Sequence, residues 1–420
     1  MPGDDYLSDA DDPHFSSGDA EPLHSTDDDS ISASDFLKSF GEEIRRTLDL
    51  STWRIGNDLA QEYARVDREV RDAVERETTL QAKVRELIFP RIKTREKAPK
   101  NAGKHEADRS VIEKIHRELL FRGGMEACDG AIQVHDTLPL TIYQLGVTLV
   151  SYSGDQGTWS QRLFRRDLKQ SGDTRIEDVL ASLEHRSRRR DPSLRDGLGE
   201  LIQKTFLQYA ERAILLQHSK APWLMGRGNP ITYELLTGGG NLELMVEVTH
   251  VLRQFVEQRQ KFVFVAHEPG DEVLLTIGHA LRPMEFAIVH TLDERLERWL
   301  HQKRFRTRVD EKLSWDNDTI PPTEWIPRVI NRVASKIVVG VFRAAPVAPA
   351  QVFYAHEDHA IYAAHMVLAD SMLQEHRGFP MLAEMARQVC NTVFGDSLSS
   401  LADNAYAAAG APWRFSQFRR

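Results

Sequence analysis

At 420 residues, with 41% hydrophobic and 28% charged residues, the chain can bury a sizeable core and has the composition of an ordinary soluble protein of one large domain with additions, or two. The formal charge of -9 is concentrated, because residues 1–35 hold eleven Asp and Glu and no Lys or Arg; without those eleven negative charges the remainder balances at +2, which sets up no net repulsion against a polyanion. Cys128 and Cys390 are too few for a disulfide framework or a cysteine metal site and point to a reduced, cytoplasmic setting, no apolar run approaches the roughly 18 residues of a membrane span, and the acidic, polar first residues are unlike a signal or transit peptide.

Residues 1–34, rich in Asp, Ser, Pro and Gly, cannot bury enough apolar surface to offset the entropy of ordering and read as a disordered acidic tail. Such a tail is either simply solvated or a decoy for nucleic acid or a basic partner. Residues 35–104 form a helical region and a basic linker. Phe36, Leu37, Phe40, Ile44 and Leu48 give one amphipathic face, and from Ser51 onward Leu59, Tyr63, Val66, Val70, Ala73, Leu80, Val84 and Leu87 recur at steps of four and three, interrupted by Glu77. That pattern predicts a long helix packed along another helix, within the chain or in a dimer. Pro90 stops it, and Arg91, Lys93, Arg95, Lys97, Lys100 and Lys104 follow against one acid, Glu96, as a solvated connection or a segment that tracks phosphates.

Residues 105–420 read as one domain. A helix is predicted over 108–121, strands over 125–134, 140–152 and 158–164 with a turn at 153–157, and a polar segment bearing Arg186, Arg188, Arg189 and Arg190. A helix over 198–217, a short buried strand over 221–225, a helix over 242–258 and an apolar strand over 262–266 come next. Three meandering strands followed by helix, strand, helix, strand is the order of an RNase H-like mixed α/β sheet, whose later strands run parallel to the first. Beyond lie a helix over 293–304, a Pro- and Trp-bearing loop over 315–327, strands over 337–342 and 352–354, and a helical C-terminus.

In the first strand, MEACDGA places Asp129 on a rigid element and follows it with Gly130, which leaves room for a ligand or another backbone to approach. Metal-dependent phosphodiester cleavage needs two or three carboxylates at one place to hold divalent cations. Glu211, on the helix entering the fourth strand, is the best-placed second, and Glu234 is a substitute for a strand-end acid, because Gly226 occupies the place where one would sit. His356, Glu357, Asp358, His359 and His365 match no closed zinc set. Gly238, Gly239 and Gly240 lack the Lys and Ser/Thr of a P-loop. Arg162, Arg165, Arg166, Arg188, Arg189 and Arg190 are candidate phosphate contacts or a solvated surface.

The stretches MEACDGA, TIYQLGVTLVSYSGD, the glycine-bearing loop after WLM with PITYELLTGGG, KFVFVAHEPGDEVLLTIGHAL and RGFPMLAEMARQV together resemble the NurA family over roughly residues 120–400. The resemblance implies an RNase H-like core, nuclease activity with Mn2+ (or Mg2+), a homodimer, and docking on the HerA hexameric ATPase in DNA end processing. It implies catalytic roles for Asp129 and Glu211. The family's second Asp-Gly would fall at Gly226 and its late histidine near Ala386, and neither group is present. Two readings follow: a metal-dependent deoxyribonuclease acting through Asp129, Glu211 and Glu234, or a lapsed adaptor that binds DNA or the ATPase without cutting.

Overall fold

A computed structural model describes residues 32–53, 59–136, 140–153, 158–167, 199, 201–266, 271–301, 313–315, 318–395 and 397–410. Residues 1–31 of the acidic tail and the cluster Arg186, Arg188, Arg189 and Arg190 lie outside the described residues.

The described strands are β1 (Gly103–Glu106), β2 (Met125–Asp136), β3 (Leu140–Val150), β4 (Thr158–Asp167), β5 (Trp223–Arg227), β6 (Phe262–Ala266), β7 (Glu285–Thr291), β8 (Leu313–Trp315), β9 (Asp318–Ile320), β10 (Ile337–Arg343) and β11 (Gln351–His356). Nine of them make one sheet in the order β1-β7-β10-β11-β6-β5-β2-β3-β4, and β8 and β9 form a separate ribbon. β2, β3 and β4 pair antiparallel as a meander, and β5 and β6 run parallel to β2. This is the RNase H-like arrangement expected from the element order. It is extended past β6 by antiparallel β11, β10, β7 and β1.

The centre of the sheet is covered on both faces, so its strands are apolar without alternation. Leu224, Phe262 and Phe264 enter the core shared with helices Leu207–His218 and Leu242–Glu257. Met225, Val263 and Val265 enter the opposite core, against helices Ala360–Ser371 and Met381–Phe394. Every residue of β6 is buried, which stabilises this part of the fold by about 2 kcal/mol for each large apolar side chain removed from water.

Three local features differ from the periodicity reading. The apolar face over residues 36–48 is split into helices Ala33–Phe40 and Ile44–Leu48, because Gly41 adopts a left-handed conformation (φ 73°) that caps the first of them. The long helix spans Leu59–Leu87, yet Tyr63, Val66, Val70 and Leu80 are 51–69% exposed, and Val84 near its end is buried. Pro90 does end that helix, and also starts the next one, Phe89–Thr94, where its missing N–H costs nothing. The basic stretch runs from that helix into edge strand β1, which holds Lys104. Its cations find acids of the same chain: Arg95 pairs with Glu294, Lys97 with Glu297 (3.8 Å) and Lys100 with Asp358 (2.8 Å).

Lys104 joins Arg85 on Glu285, the first residue of β7. Arg85 donates two bonds to its carboxylate, at 2.6 and 2.8 Å, and Lys104 Nζ a third at 2.9 Å. The Arg282 N–H adds a fourth at 2.8 Å. Burial works to raise the Glu285 pKa, and these donors more than reverse it, bringing it down to about 2.

Candidate functional site

Asp129 sits on β2 between β5 and β3, opposite Thr148 of β3 and one step beyond the last β2–β5 pair, Cys128 with Gly226. Because successive strand side chains point to opposite faces, Asp129 faces helix Met381–Phe394 and Gly130 faces helix Leu207–His218. The glycine is required by Glu211, since a Cβ on Gly130 would lie 2.7 Å from Glu211 Oε1 and 2.8 Å from Leu207 Cδ1. The Asp-Gly dipeptide therefore brings two carboxylates to one peptide group. The Gly130 N–H donates to Asp129 Oδ1 at 2.9 Å and also favours the charged form of Glu211. Both carboxyls are nevertheless pushed above the ordinary carboxylate range, first of all by burial, and Glu211 further by the charge of Asp129.

Arginines supply the opposing charge. Arg227, the last residue of β5, places Nη1 3.5 Å from Asp129 Oδ2 and 3.2 Å from Glu384 Oε1, with its guanidinium over the Phe379 ring at 5.2 Å. Arg377 Nη1 lies 3.5 Å from the other oxygen of Glu384. Arg212 stands 3.3 Å from Glu211 Oε2, and is tied to the chain after β5 by bonds to the carbonyls of Asn229 (2.5 Å) and Pro230 (3.0 Å). It donates to Gln208 O of its own helix as well, at 2.9 Å, and the Asn229 and Pro230 bonds fix that helix against the end of β5.

The structure thus brings together Asp129 and Glu211 and adds Glu384, Arg227 and Arg377, which sequence reasoning missed. A signal for Arg227 existed, because a lone charged residue closes the otherwise apolar strand WLMGR. Glu384 carried no comparable signal: it lies on helix Met381–Phe394, more than 250 residues from Asp129 in sequence, and only the packing of that helix on β2 and β3 delivers it. Glu234 is the second residue of the short helix Tyr233–Leu236, and among the described residues no hydrogen bond or ion pair joins it to Asp129 or Glu211. Gly226 faces away from Asp129, and a Cβ there would lie 2.1 Å from Phe264 Cε1, so the side chain that β5 presents to the site is Arg227. Ala386 is fully buried, and its carbonyl accepts from Thr148 Oγ1 at 2.9 Å.

The other constellations have ordinary structural roles. Asp358 carries Lys100, Glu357 carries Lys336 (2.6 Å), and His356 is buried beside them. Gly238, Gly239 and Gly240, with φ of 58°, 60° and 89°, make a left-handed turn leading to helix Leu242–Glu257. Arg162 and Arg165 lie exposed on β4, with Arg162 over the Phe164 ring at 5.5 Å. Arg166 is on the same strand.

A divalent cation requires several oxygen donors at one point. Among the described residues no group of three or more His, Cys, Asp or Glu side chains could hold a metal ion, and the position between Asp129 and Glu384 is taken by the Arg227 guanidinium. The residues as arranged do not fit a two-metal centre.

No family model matches the sequence, and no curated protein matches it significantly. The structure matches solved NurA structures over most of its length. With the NurA nuclease from Sulfolobus solfataricus the identity is 9% and the TM-score 0.44, covering 86% of this chain and 100% of that one. A structure of NurA with manganese gives 9% and 0.35, covering 80% and 97%, and one bound to dAMP and manganese gives 10% and 0.36, covering 78% and 92%.

Proposed function

We propose that the protein is a NurA-like DNA-processing subunit that binds DNA, partners a HerA-type ring ATPase, and does not itself cut by two-metal chemistry. The observation that carries this reading is the Arg227 guanidinium lying between Asp129 and Glu384, a fixed charge where a nuclease of this architecture needs an exchangeable one. The RNase H-like sheet with Asp129 on its first meander strand supports the relationship. Arg162 and Arg165 on β4 are the described candidates for phosphate contact, with Arg166 on the same strand. In a homodimer, a second copy covers the apolar stripe from Tyr63 to Leu80. A soluble, cytoplasmic setting goes with the absence, among the described residues, of any helix long and apolar enough to cross a membrane.

A specific observation favours the alternative, a Mn2+- or Mg2+-dependent deoxyribonuclease. Asp129 and Glu211 meet at the Gly130 N–H, and burial raises the proton affinity of both, the arrangement of carboxylates that a bound cation would stabilise. Incubating purified protein with linear DNA and Mn2+ or Mg2+, beside a salt titration of DNA binding, separates the two. The adaptor reading expects salt-sensitive binding without digestion. Digestion that disappears in Asp129→Asn overturns it in favour of the nuclease.

A further inference from the structure

We propose that Trp159 is a stacking platform for an unpaired base of a single-stranded nucleic acid, with Arg165, six residues along on the same face of β4, holding the phosphate backbone further along the strand. This rests on the DNA-binding reading and specifies which form of the polymer the β4 surface takes. Asp129 of β2 is in register with Thr148 of β3, and Thr148 with Trp159 of β4. Side chains in register across a sheet share a face, so Trp159 lies on the face of Asp129, two strands or about 10 Å across the sheet. Helix Met381–Phe394 covers the intervening strand, where Thr148 is fully buried. Trp159 emerges beyond that cover 53% exposed, and Leu163, two steps of the same face further along, is 56% exposed.

The charge of the strand selects the occupant. β4 (TWSQRLFRRD) contains three arginines against one acid, Asp167. Among the described residues β4 is also the outer edge of the nine-stranded sheet, a row of backbone groups of the kind that pairs with another strand. A second copy pairing there would set like charges against each other across the new ladder. A polyanion meets complementary charge instead, and an indole half in solvent offers its face to any base. A duplex keeps its base faces stacked inside, so only an unpaired strand uses Trp159.

The experiment measures affinities of the full chain at fixed salt for a short oligothymidine, an abasic strand of equal length and a blunt duplex, comparing wild type with Trp159→Ala and Trp159→Phe. Trp159→Ala is expected to weaken oligothymidine binding about tenfold, to leave the abasic strand and the duplex unchanged, and to be largely rescued by Trp159→Phe. Equal oligothymidine affinity in wild type and Trp159→Ala overturns the proposal, and so does a loss of the same size on the abasic strand; in both cases DNA binding itself stands. A wild-type protein that binds none of the three overturns the DNA-binding reading along with it.

Discussion

Two places in the same sheet bury carboxylates among arginines, and they do so in opposite ways. At Glu285 the carboxylate is 3% exposed and receives donors from Arg85, Lys104 and the Arg282 N–H at 2.6–2.9 Å, and its pKa falls to about 2. At Asp129 the arginine contacts stand at 3.2–3.5 Å, and burial wins, so that Asp129 and Glu211 keep raised proton affinities. The first is a closed clamp that joins the end of the long helix, edge strand β1 and β7. The second holds charge in balance without locking it. Short, saturated geometry marks a group retained for stability; longer contacts around under-stabilised carboxylates mark a group whose retention has to be explained by something other than stability.

The largest effect should come from opening the clamp. Glu285→Gln leaves Arg85 and Lys104 half-buried without their counter-charge, and is expected to cost about 3–5 kcal/mol in urea unfolding at pH 7. The sign of the pH dependence follows from the lowered pKa. The stabilisation from Glu285 is complete above the unfolded glutamate pKa near ~4.3 and is lost as pH falls toward about 2. The variant should therefore lack that part of the acid-induced loss. If it unfolds at the wild-type urea midpoint, the clamp is incidental.

Next in size is Gly226→Asp, the substitution that would restore an acid at the position implied by the family resemblance. Its Cβ would meet the Phe264 ring at 2.1 Å, so a destabilisation of about 2–3 kcal/mol is expected, with no new Mn2+ site. A stable variant that bound Mn2+ would mean that β5 can turn this position toward Asp129.

Smaller again, and opposite in sign to the clamp, is Asp129→Asn. A carboxyl with a raised folded pKa makes the native state bind more protons than the unfolded chain from about pH 4 up to that folded value, so stability falls as pH rises through the interval. Removing the charge should leave stability at pH 7 unchanged or raise it by about 1 kcal/mol, and flatten the slope between pH 4 and neutrality. A loss resembling that of Glu285→Gln would erase the contrast between the two places. The smallest expected change is at the surface, where Arg162→Ala should lower the salt-dependence slope of DNA binding by about 1 with no effect on unfolding.

How much of this was legible in the sequence follows from the range of the forces involved. The meander, the parallel pair and the order joining them are written in local apolar runs and glycine-bearing turns, which is why β2, β3, β4 and β6 lie close to where periodicity places them. Strand β7 (EFAIVHT) and edge strand β1 (GKHE) were not legible. The first is a short apolar run that periodicity cannot assign, and the second is half polar and becomes a strand only because β7 lies beside it. In the site, Asp129 and Glu211 were within reach because an Asp-Gly in a strand and a glutamate one connection away are local features. Arg227 was marked only as a lone charge closing an apolar strand, and its meeting with Glu384 was not legible, because that depends on the late helix Met381–Phe394 folding back over β2 and β3, a contact spanning most of the chain.

The most direct test of the central claim is Mn2+ binding followed by electron paramagnetic resonance on the wild type, Asp129→Asn and Arg227→Asp, the last of which turns a carboxylate rather than a guanidinium toward Asp129. With Arg227 in place, wild type and Asp129→Asn should bind Mn2+ equally weakly, and Arg227→Asp should gain a saturable site. A saturable site already present in the wild type and abolished by Asp129→Asn would contradict the account and return the protein to the metal-dependent nucleases.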